Sequence, residues 1–273
     1  MSITHSRVSL SIEDDRDVEL AAHTIAEGGI ACHPFANFYV FSARPREAIV
    51  RYVNQVKGRP ADQTGSVVTT PEYLTNLFDW SLLPDGLRRE RVEALMRALI
   101  ALGPFGFRGP ARPRLPSFLT QDDNGVRTVQ VISPGMACPS NVLYARALEL
   151  IGGDYLYGTS GNRSRQQTGA EDEPVHYRLA PLQADFGRFD DFFMVSAGDE
   201  AAMARRYPLH EQMSATVLSF HKLGPDDGGL PRLVVERHGS LPVDDLARLA
   251  AQFGFDLHLA PGAARRLTAR AYA

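Results

Sequence analysis

Residues 14–41 read DDRDVELAAHTIAEGGIACHPFANFYVF and combine a helix, a stop signal and two strands. Acids open the stretch, and apolar residues then recur at three- and four-residue spacing, which predicts an amphipathic helix. Gly28 and Gly29 predict the end of that helix. Residues 30–33 and 38–41 are short apolar runs around a turn, so two strands follow. The stretch predicts a protein of the α/β class.

The same alternation continues along the chain. Further helices are predicted over residues 45–58, 70–78, 88–102, 139–151 and 243–253, the last capped by Ser240. Further strands are predicted over residues 66–69, 126–132, 155–158, 192–196, 215–220, 233–236 and 255–259. Glycine and proline are spread along the chain instead of being pooled in one linker, so a single domain is expected.

Two segments are predicted to lack regular structure. Residues 103–118 are rich in glycine and proline and carry Arg108, Arg112 and Arg114. This segment is interpreted as a solvated surface loop, or alternatively as a cationic flap near a phosphate site. Residues 161–181 form a long polar loop, either a surface excursion or a lid that orders over a bound ligand.

Composition and charge exclude several classes of protein. The 273 residues are 44% hydrophobic and 22% charged, which is typical of a globular domain. A net charge of −3 disfavours direct nucleic-acid binding, because proteins held to phosphate backbones are usually basic. No apolar run approaches the roughly 20 residues of a membrane helix. The N-terminus lacks a signal-peptide core, so no membrane contact and a cytoplasmic location are expected.

Two residue types are rare. Cys32 and Cys138 are the only cysteines, too few for a disulfide framework or a usual zinc site. We interpret them as reduced, buried thiols, with a catalytic role as the weaker alternative. Lys57 and Lys222 are the only lysines among many arginines. Such a bias more often reflects genome composition, but a retained lysine is also consistent with a need for a compact ammonium.

Familiar enzyme signatures are absent from the sequence. There is no GxxxxGK[ST] phosphate loop, GxSxG elbow, HExxH pair or GxGxxG after a strand. The eight histidines are scattered without metal-ligand spacing. Any activity must therefore depend on less widespread motifs.

Five short motifs occur in a particular order. They are GGIACHPFANFYVF at 28–41, VKGRP at 56–60, YGTSGNRS at 157–164, MSATVLSF at 213–220 and VVERHGSLPVDDL at 234–246. Singly each is weak, since a lysine at a helix end or a polar turn is common. Together the motifs resemble the YrdC-like threonylcarbamoyl-adenylate synthase family. Its members carry GG…PT-x-T-x-YGL, K-x-RP, TSAN-x-SG, STVV and R-x-GA in this order, and the resemblance covers residues 15–250.

The resemblance implies a fold and a reaction. The implied fold is one YrdC-like domain over residues 12–260, a twisted mixed sheet with flanking helices around a large nucleotide-binding cavity. Residues 1–11 and 261–273 are then terminal extensions. In the implied reaction an amine and bicarbonate give a carbamate, whose oxygen attacks the α-phosphorus of ATP and releases pyrophosphate. The product in the family is threonylcarbamoyl-AMP, a precursor for transfer RNA modification.

The family's Lys-Arg-Ser-Asn tetrad matches Lys57, Arg59, Ser160 and Asn162. Lys57 and Arg59 are the implied catalytic phosphate contacts, the first as a point charge and the second as a planar fork. Ser160 and Asn162 follow a strand, where α/β sheets place ligands, and are implied to hold phosphate oxygens or Mg²⁺. No protein nucleophile is required, in agreement with the absent signatures.

Further contacts follow from the remaining motifs. Implied nucleotide contacts are Ser214, Thr216 and Arg237. Implied substrate contacts are Phe35, Asn37, Tyr39 and Thr159.

The sequence departs from the family in three places, the first in the segment that lies against the substrate amino acid in the family. Phe35 and Asn37 replace both threonines, and Val40 replaces the glycine of PT-x-T-x-YGL. Residues 132–133, Ile-Ser, stand where the family usually has an arginine, and Arg165 replaces a glycine. Lost hydroxyls and an added phenyl ring predict weak recognition of threonine.

Three functions remain open at this point. The first is an enzyme that forms a carbamoyl-type adenylate from ATP, bicarbonate and another amino acid or amine, for a downstream acceptor enzyme. The second is an ordinary threonylcarbamoyl-adenylate synthase. The third is a non-catalytic protein that binds nucleotide or RNA.

Overall fold

The structure, a computed structural model, describes residues 10–164 and 172–272. Its helices are α1 (Asp15–Glu27), α2 (Glu47–Lys57), α3 (Arg89–Leu102), α4 (Ser140–Ile151), α5 (Leu179–Phe186), α6 (Glu200–Arg205) and α7 (Val243–Gln252). Its strands are β1 (Leu10–Ser11), β2 (Ile30–Phe35), β3 (Phe38–Ala43), β4 (Ser66–Val68), β5 (Phe105–Pro110), β6 (Thr120–Asp123), β7 (Val126–Ser133), β8 (Leu156–Ser160), β9 (Phe192–Ser196), β10 (Val217–Leu223), β11 (Arg232–Arg237) and β12 (Asp256–Leu259). In the described ranges no helix is long and apolar enough to cross a membrane.

All the described strands join one mixed sheet. Their order is β1-β9-β2-β3-β8-β4-β7-β5-β10-β11-β12, and β6 pairs with β7 outside this path. The sheet contains parallel pairs such as β4–β7 and antiparallel pairs such as β3–β8. The hairpin β2–β3, predicted from the opening stretch, lies between the parallel strand β9 and the antiparallel strand β8. The predicted α/β class with a mixed sheet and flanking helices is confirmed.

The two faces of the sheet have different coverings. One face packs against α2, α3 and α7, and it receives Tyr39 and Phe41 of β3. The other face packs against α1 and α4, and it receives Phe38 and Val40. Successive strand residues point to opposite faces, so β3 contributes to both cores. The part of the second face that α1 and α4 leave uncovered forms the wall of a large cavity.

The prediction that residues 103–118 lack regular structure was wrong. Residues 105–110 form β5, which is antiparallel to β7 and parallel to β10. Its glycines serve close packing, since a Cβ on Gly109 would lie 2.2 Å from Cζ of Phe220. A Cβ on Gly106 would lie 2.7 Å from Cδ1 of Ile132. These contacts join residues far apart in sequence, and no local pattern reports them.

Other boundaries also differ. The predicted loop 161–181 ends earlier, because α5 begins at Leu179. Of residues 161–181, on which the lid hypothesis falls, residues 165–171 with Arg165 lie outside the described residues. The last long helix has its N-cap at Pro242 instead of Ser240, whose hydroxyl lies 3.1 Å from Nδ1 of His210. The short elements β6 and α6 were not predicted.

His33 of β2 is fully buried between the hairpin and α4. Its Nε2 lies 2.9 Å from the Ser42 hydroxyl, and its Nδ1 lies 2.8 Å from the Pro34 carbonyl oxygen. Burial lowers the pKa of His33 from 6.5 to about 4. The unfolded chain therefore takes up a proton in this pH window while the folded chain does not.

We predict that the free energy of unfolding decreases as pH falls from about 6 to 4.5. One proton bound only by the unfolded state lowers it by about 1.4 kcal/mol per pH unit. His33→Gln removes the titrating group, so its stability should fall less steeply with pH. Urea unfolding at several pH values measures both slopes. Equal slopes in the two proteins would contradict this assignment.

Candidate active site

The cavity consists of two adjoining lobes with volumes of about 680 and 590 Å³. Such volumes are typical of small-molecule sites. Five side chains line both lobes and mark their junction: Arg59, Ser160, Asp172, Ser214 and Arg237. A ligand at the junction would therefore contact groups from α2, β8 and the β10–β11 region at once.

The junction is built where α2 and β8 end. Gly58 caps α2 in the left-handed conformation with φ 77°, and this turn separates Lys57 from Arg59. The Lys57 ammonium is 1% exposed and donates to the Ser160 carbonyl oxygen and, at 3.3 Å, to Oδ1 of Asn162. The Ser160 hydroxyl donates to the same Oδ1 at 2.5 Å. The structure thus brings together Lys57, Ser160 and Asn162.

Lys57 lies behind the cavity wall and lines neither lobe. Burial is the main reason why its pKa lies well below the ordinary value, and the nearby Arg59 charge adds to this effect. Asp172 acts in the opposite direction. An anion at the junction would favour the charged ammonium in the same way.

Arg59 lies beside this cluster and faces the cavity. Its Nη1 donates to the Thr159 hydroxyl at 2.9 Å, and its Nη2 is 3.6 Å from Oδ2 of Asp172. Thr159 also lines the larger lobe. The guanidinium is therefore held at the junction with a face toward the ligand space.

Two further arginines converge on the same space. Arg237 donates from Nε to the Ala215 carbonyl oxygen at 2.8 Å. Burial, together with the charges of Arg59 and Arg108, lowers the pKa of Arg237 to about 10. Like charges held this close in a cavity fit a polyanionic ligand such as a phosphate chain.

A polar strip and an apolar floor divide the larger lobe. The polar strip is a hydrogen-bonded line in which Gln130 donates to Ser66 at 2.8 Å and Arg108 donates to Gln130 at 3.1 Å and Gln121 at 3.0 Å. Arg108 also pairs with Glu236 at 2.7 Å. The apolar floor consists of Phe35, Phe38, Val40, Val68, Ile132 and Ala215.

Three residues predicted at the site lie away from the cavity. Asn37 donates to the carbonyl oxygens of residues 210 and 211 at 3.1 and 2.7 Å. Tyr39 points to the opposite face of the sheet and donates to Glu200 at 2.9 Å. The Thr216 hydroxyl donates to the Leu241 carbonyl oxygen at 2.8 Å. None of the three side chains lines either lobe.

Several lining residues were not predicted. Asp172 and Gln130 line the larger lobe. Residues 265–268, within the predicted terminal extension, line the smaller lobe. Alternating polar residues at 128 and 130 of β7 were the available signal for Gln130. Of the arginines in 103–118, Arg108 lines the cavity, whereas Arg114 pairs with Asp154 elsewhere.

Comparison with known proteins identifies the fold. No family model and no curated protein matches the sequence. The chain is similar in structure to P. abyssi Sua5 complexed with L-threonine, with TM-score 0.59 and 18% identity over 90% of this chain. It spans 60% of that Sua5 chain.

Two shorter proteins match over most of their own length. E. coli YciO aligns with TM-score 0.54 and 15% identity, over 81% of this chain and 88% of YciO. A hypothetical protein from Streptococcus mutans aligns with TM-score 0.58 and 16% identity, over 89% and 94%. The chain therefore has the YrdC-like fold of Sua5 and YciO, and the fold predicted from the order of the five motifs is confirmed.

The structural role of Thr216, whose side chain lies away from the cavity, can be tested. Its hydroxyl accepts from the backbone N–H groups of residues 239 and 241, both at 3.1 Å. Thr216→Val leaves these buried donors unpaired, so we expect a loss of about 1–3 kcal/mol in the free energy of unfolding. Ser214→Ala, at the junction, should change it by only about 0.5 kcal/mol. Urea unfolding distinguishes the two, and an unaffected Thr216→Val would contradict the structural role.

Proposed function

We propose that the protein is a YrdC-like nucleotidyltransferase that forms a carbamoyl-type adenylate. Its substrates are ATP, bicarbonate and an amine or amino acid, and pyrophosphate is released. The proposal depends on one observation, the grouping of the tetrad at the two-lobed cavity: Arg59 and Ser160 line the junction, Asn162 lines the smaller lobe, and Lys57 lies behind the wall, bonded to Ser160 and Asn162. The Sua5-like fold supports the same function, because the family that the sequence resembles carries this tetrad.

The junction suits the phosphates of ATP. Arg59 and Arg237 present guanidinium groups that can bind phosphate oxygens in pairs. Charge that develops on the α-phosphoryl group and on the leaving pyrophosphate would be stabilised by these fixed cations. Because they are already positioned by Thr159, Asp172 and the Ala215 carbonyl, little reorganisation is needed.

In this proposal Lys57 acts from behind the cavity wall. Its ammonium holds the Ser160 carbonyl and the Asn162 amide oxygen, and so orients the turn that faces the phosphates. It also contributes positive potential to the junction through the low-dielectric interior. Arg59, and not Lys57, makes the direct phosphate contact in this proposal.

Ser160 and Asn162 offer oxygen atoms to a divalent cation. Both line the smaller lobe, and the Asp172 carboxylate lines the same lobe. Oxygen donors together with substrate phosphates are the ligands that Mg²⁺ prefers. Mg²⁺ held there would neutralise phosphate charge. Asp172 would be the stronger protein ligand because it is a carboxylate, and it also pairs with Arg59 and accepts from Ser164.

The chemistry requires no protein nucleophile. The amine nitrogen bonds to the carbon of bicarbonate with loss of water, and the carbamate oxygen then displaces pyrophosphate from the α-phosphorus. Both cysteines are buried, and burial raises the pKa of the Cys32 thiol, which keeps it protonated. The threonine bound by P. abyssi Sua5 is the first amino acid to test.

The phosphate contacts can be tested by calorimetry with ATP and Mg²⁺. Arg59→Ala removes a charge-assisted contact, which should weaken binding by about 1.5–3 kcal/mol. Lys57→Ala should weaken binding by a similar amount, because the turn at Ser160 loses its support. Arg114→Ala is the matched control, since Arg114 pairs with Asp154 away from the cavity. Unchanged affinity in the first two variants would reject the nucleotide site.

Turnover is tested by pyrophosphate release with ATP, Mg²⁺, bicarbonate and an amine panel. The proposal predicts release that requires both bicarbonate and amine and that is lost in Arg59→Ala. Tight ATP binding without release under any combination would indicate a non-catalytic nucleotide-binding protein instead.

A further inference from the structure

The sheet face under the larger lobe changes from apolar to polar over two residues along its strands. Val68 and Ile132 are paired across β4 and β7, and Ile132 is opposite Gly106 of β5. Two residues away on the same three strands, Gln130 of β7 is opposite Arg108 of β5 and donates to the Ser66 hydroxyl of β4. The apolar floor and the polar strip are therefore about 7 Å apart along the strands.

No charged side chain belongs to the apolar floor. Arg108, in the polar strip, is engaged by Gln121, Gln130 and Glu236. Position 132, where the resemblance places an arginine, holds an isoleucine that lines the cavity. Ser133 is buried, and its hydroxyl accepts from the backbone N–H of Gly135 at 3.3 Å. Arg237 donates to the Ala215 carbonyl at one edge of the floor, but a carboxylate placed over Phe35, Val68 and Ile132 would be buried against hydrocarbon, which is costly.

The floor is also packed in a fixed shape. The rings of Phe35 and Phe38 have centroids 5.4 Å apart, and Phe35 packs against Tyr144 at 6.4 Å. Val68 leans over Gly158, where a Cβ would lie 2.3 Å from its Cγ1. These contacts keep hydrocarbon at the surface of the floor, so its polarity cannot be changed by small side-chain movements.

The floor adjoins the junction. Val40 of β3 is the direct register partner of Ser160 of β8. Residues opposite one another in an antiparallel pair have Cα atoms about 4.5–5.5 Å apart. Because Val40, Phe35 and Ile132 line the same lobe as Ser160, a substrate whose reacting nitrogen lies near Ser160 would extend its other end onto the apolar floor.

On the basis of the proposed function, we propose that the amine substrate is an apolar amine without a carboxylate. Its hydrocarbon group lies on the apolar floor and its nitrogen faces the junction. The amine bonds to bicarbonate carbon with loss of water. The resulting carbamate oxygen bonds to the α-phosphorus of ATP as the bond to pyrophosphate breaks.

Matched pairs of substrates test this directly. Isobutylamine is valine without its carboxylate, and phenethylamine is phenylalanine without it. With ATP, Mg²⁺ and bicarbonate at about pH 8.5, the amine of each pair should give a kcat/KM for pyrophosphate release that is higher by at least about tenfold. The reason is that the amino acid must bury its carboxylate without a partner, which weakens binding by at least that factor. Equal or better turnover of valine, phenylalanine or threonine would overturn the inference and leave the proposed function in place.

Ile132→Arg tests the floor itself. A guanidinium there should pair with the carboxylate and move the preference toward valine by at least about tenfold. Ile132→Val keeps the hydrocarbon surface and should retain the preference for isobutylamine. Calorimetry with ATP shows whether each variant still folds and binds nucleotide. An Ile132→Arg variant that binds ATP but keeps the parental preference contradicts the inference. If the unmodified protein releases pyrophosphate with none of the substrates, the proposed function is overturned as well.

Discussion

The buried ammonium of Lys57 is the interaction on which the rest of the site depends. A charge that is 1% exposed is tolerated only with hydrogen-bond partners. Here the partners are the Ser160 carbonyl and the Asn162 amide, so the last turn of α2 is tied to the end of β8. The left-handed Gly58 then directs Arg59 into the cavity. One helix end and one strand end thereby set the position of the whole cationic junction.

Local signals carried much of the prediction. The helix α1 and the hairpin β2–β3 follow from periodicity and turn residues, whereas the fold family follows from the resemblance that the five motifs carry. β5 was missed because its glycines make room for Ile132 and Phe220, residues that are distant in sequence. Asn37 and Thr216 were assigned to the site from motif position, yet their side chains bond distant backbone at 210–211 and 239–241. Tertiary pairing, which no window of sequence shows, decided each of these cases.

The cavity combines two environments, one cationic and one apolar. The junction gathers guanidinium groups that suit phosphates, and the apolar floor begins one strand away at Val40. Adenylation of a carbamate needs both, because a charged nucleotide must meet a second, smaller substrate in one space. The cationic end agrees with the tetrad of the family that the sequence resembles. The apolar end differs from that family at Phe35, Val40 and Ile132, which is where a change of amine would be expected.

The most direct test of the central claim is mass spectrometry of the nucleotide product formed with ¹³C-labelled bicarbonate. The purified protein is incubated with ATP, Mg²⁺, labelled bicarbonate and a mixture of amines and amino acids, and AMP-containing species are analysed. The account predicts an AMP adduct that carries one ¹³C atom and one amine, absent from the Arg59→Ala reaction. ATP consumption that yields only unlabelled AMP or ADP, or no labelled adduct with any amine, would contradict it.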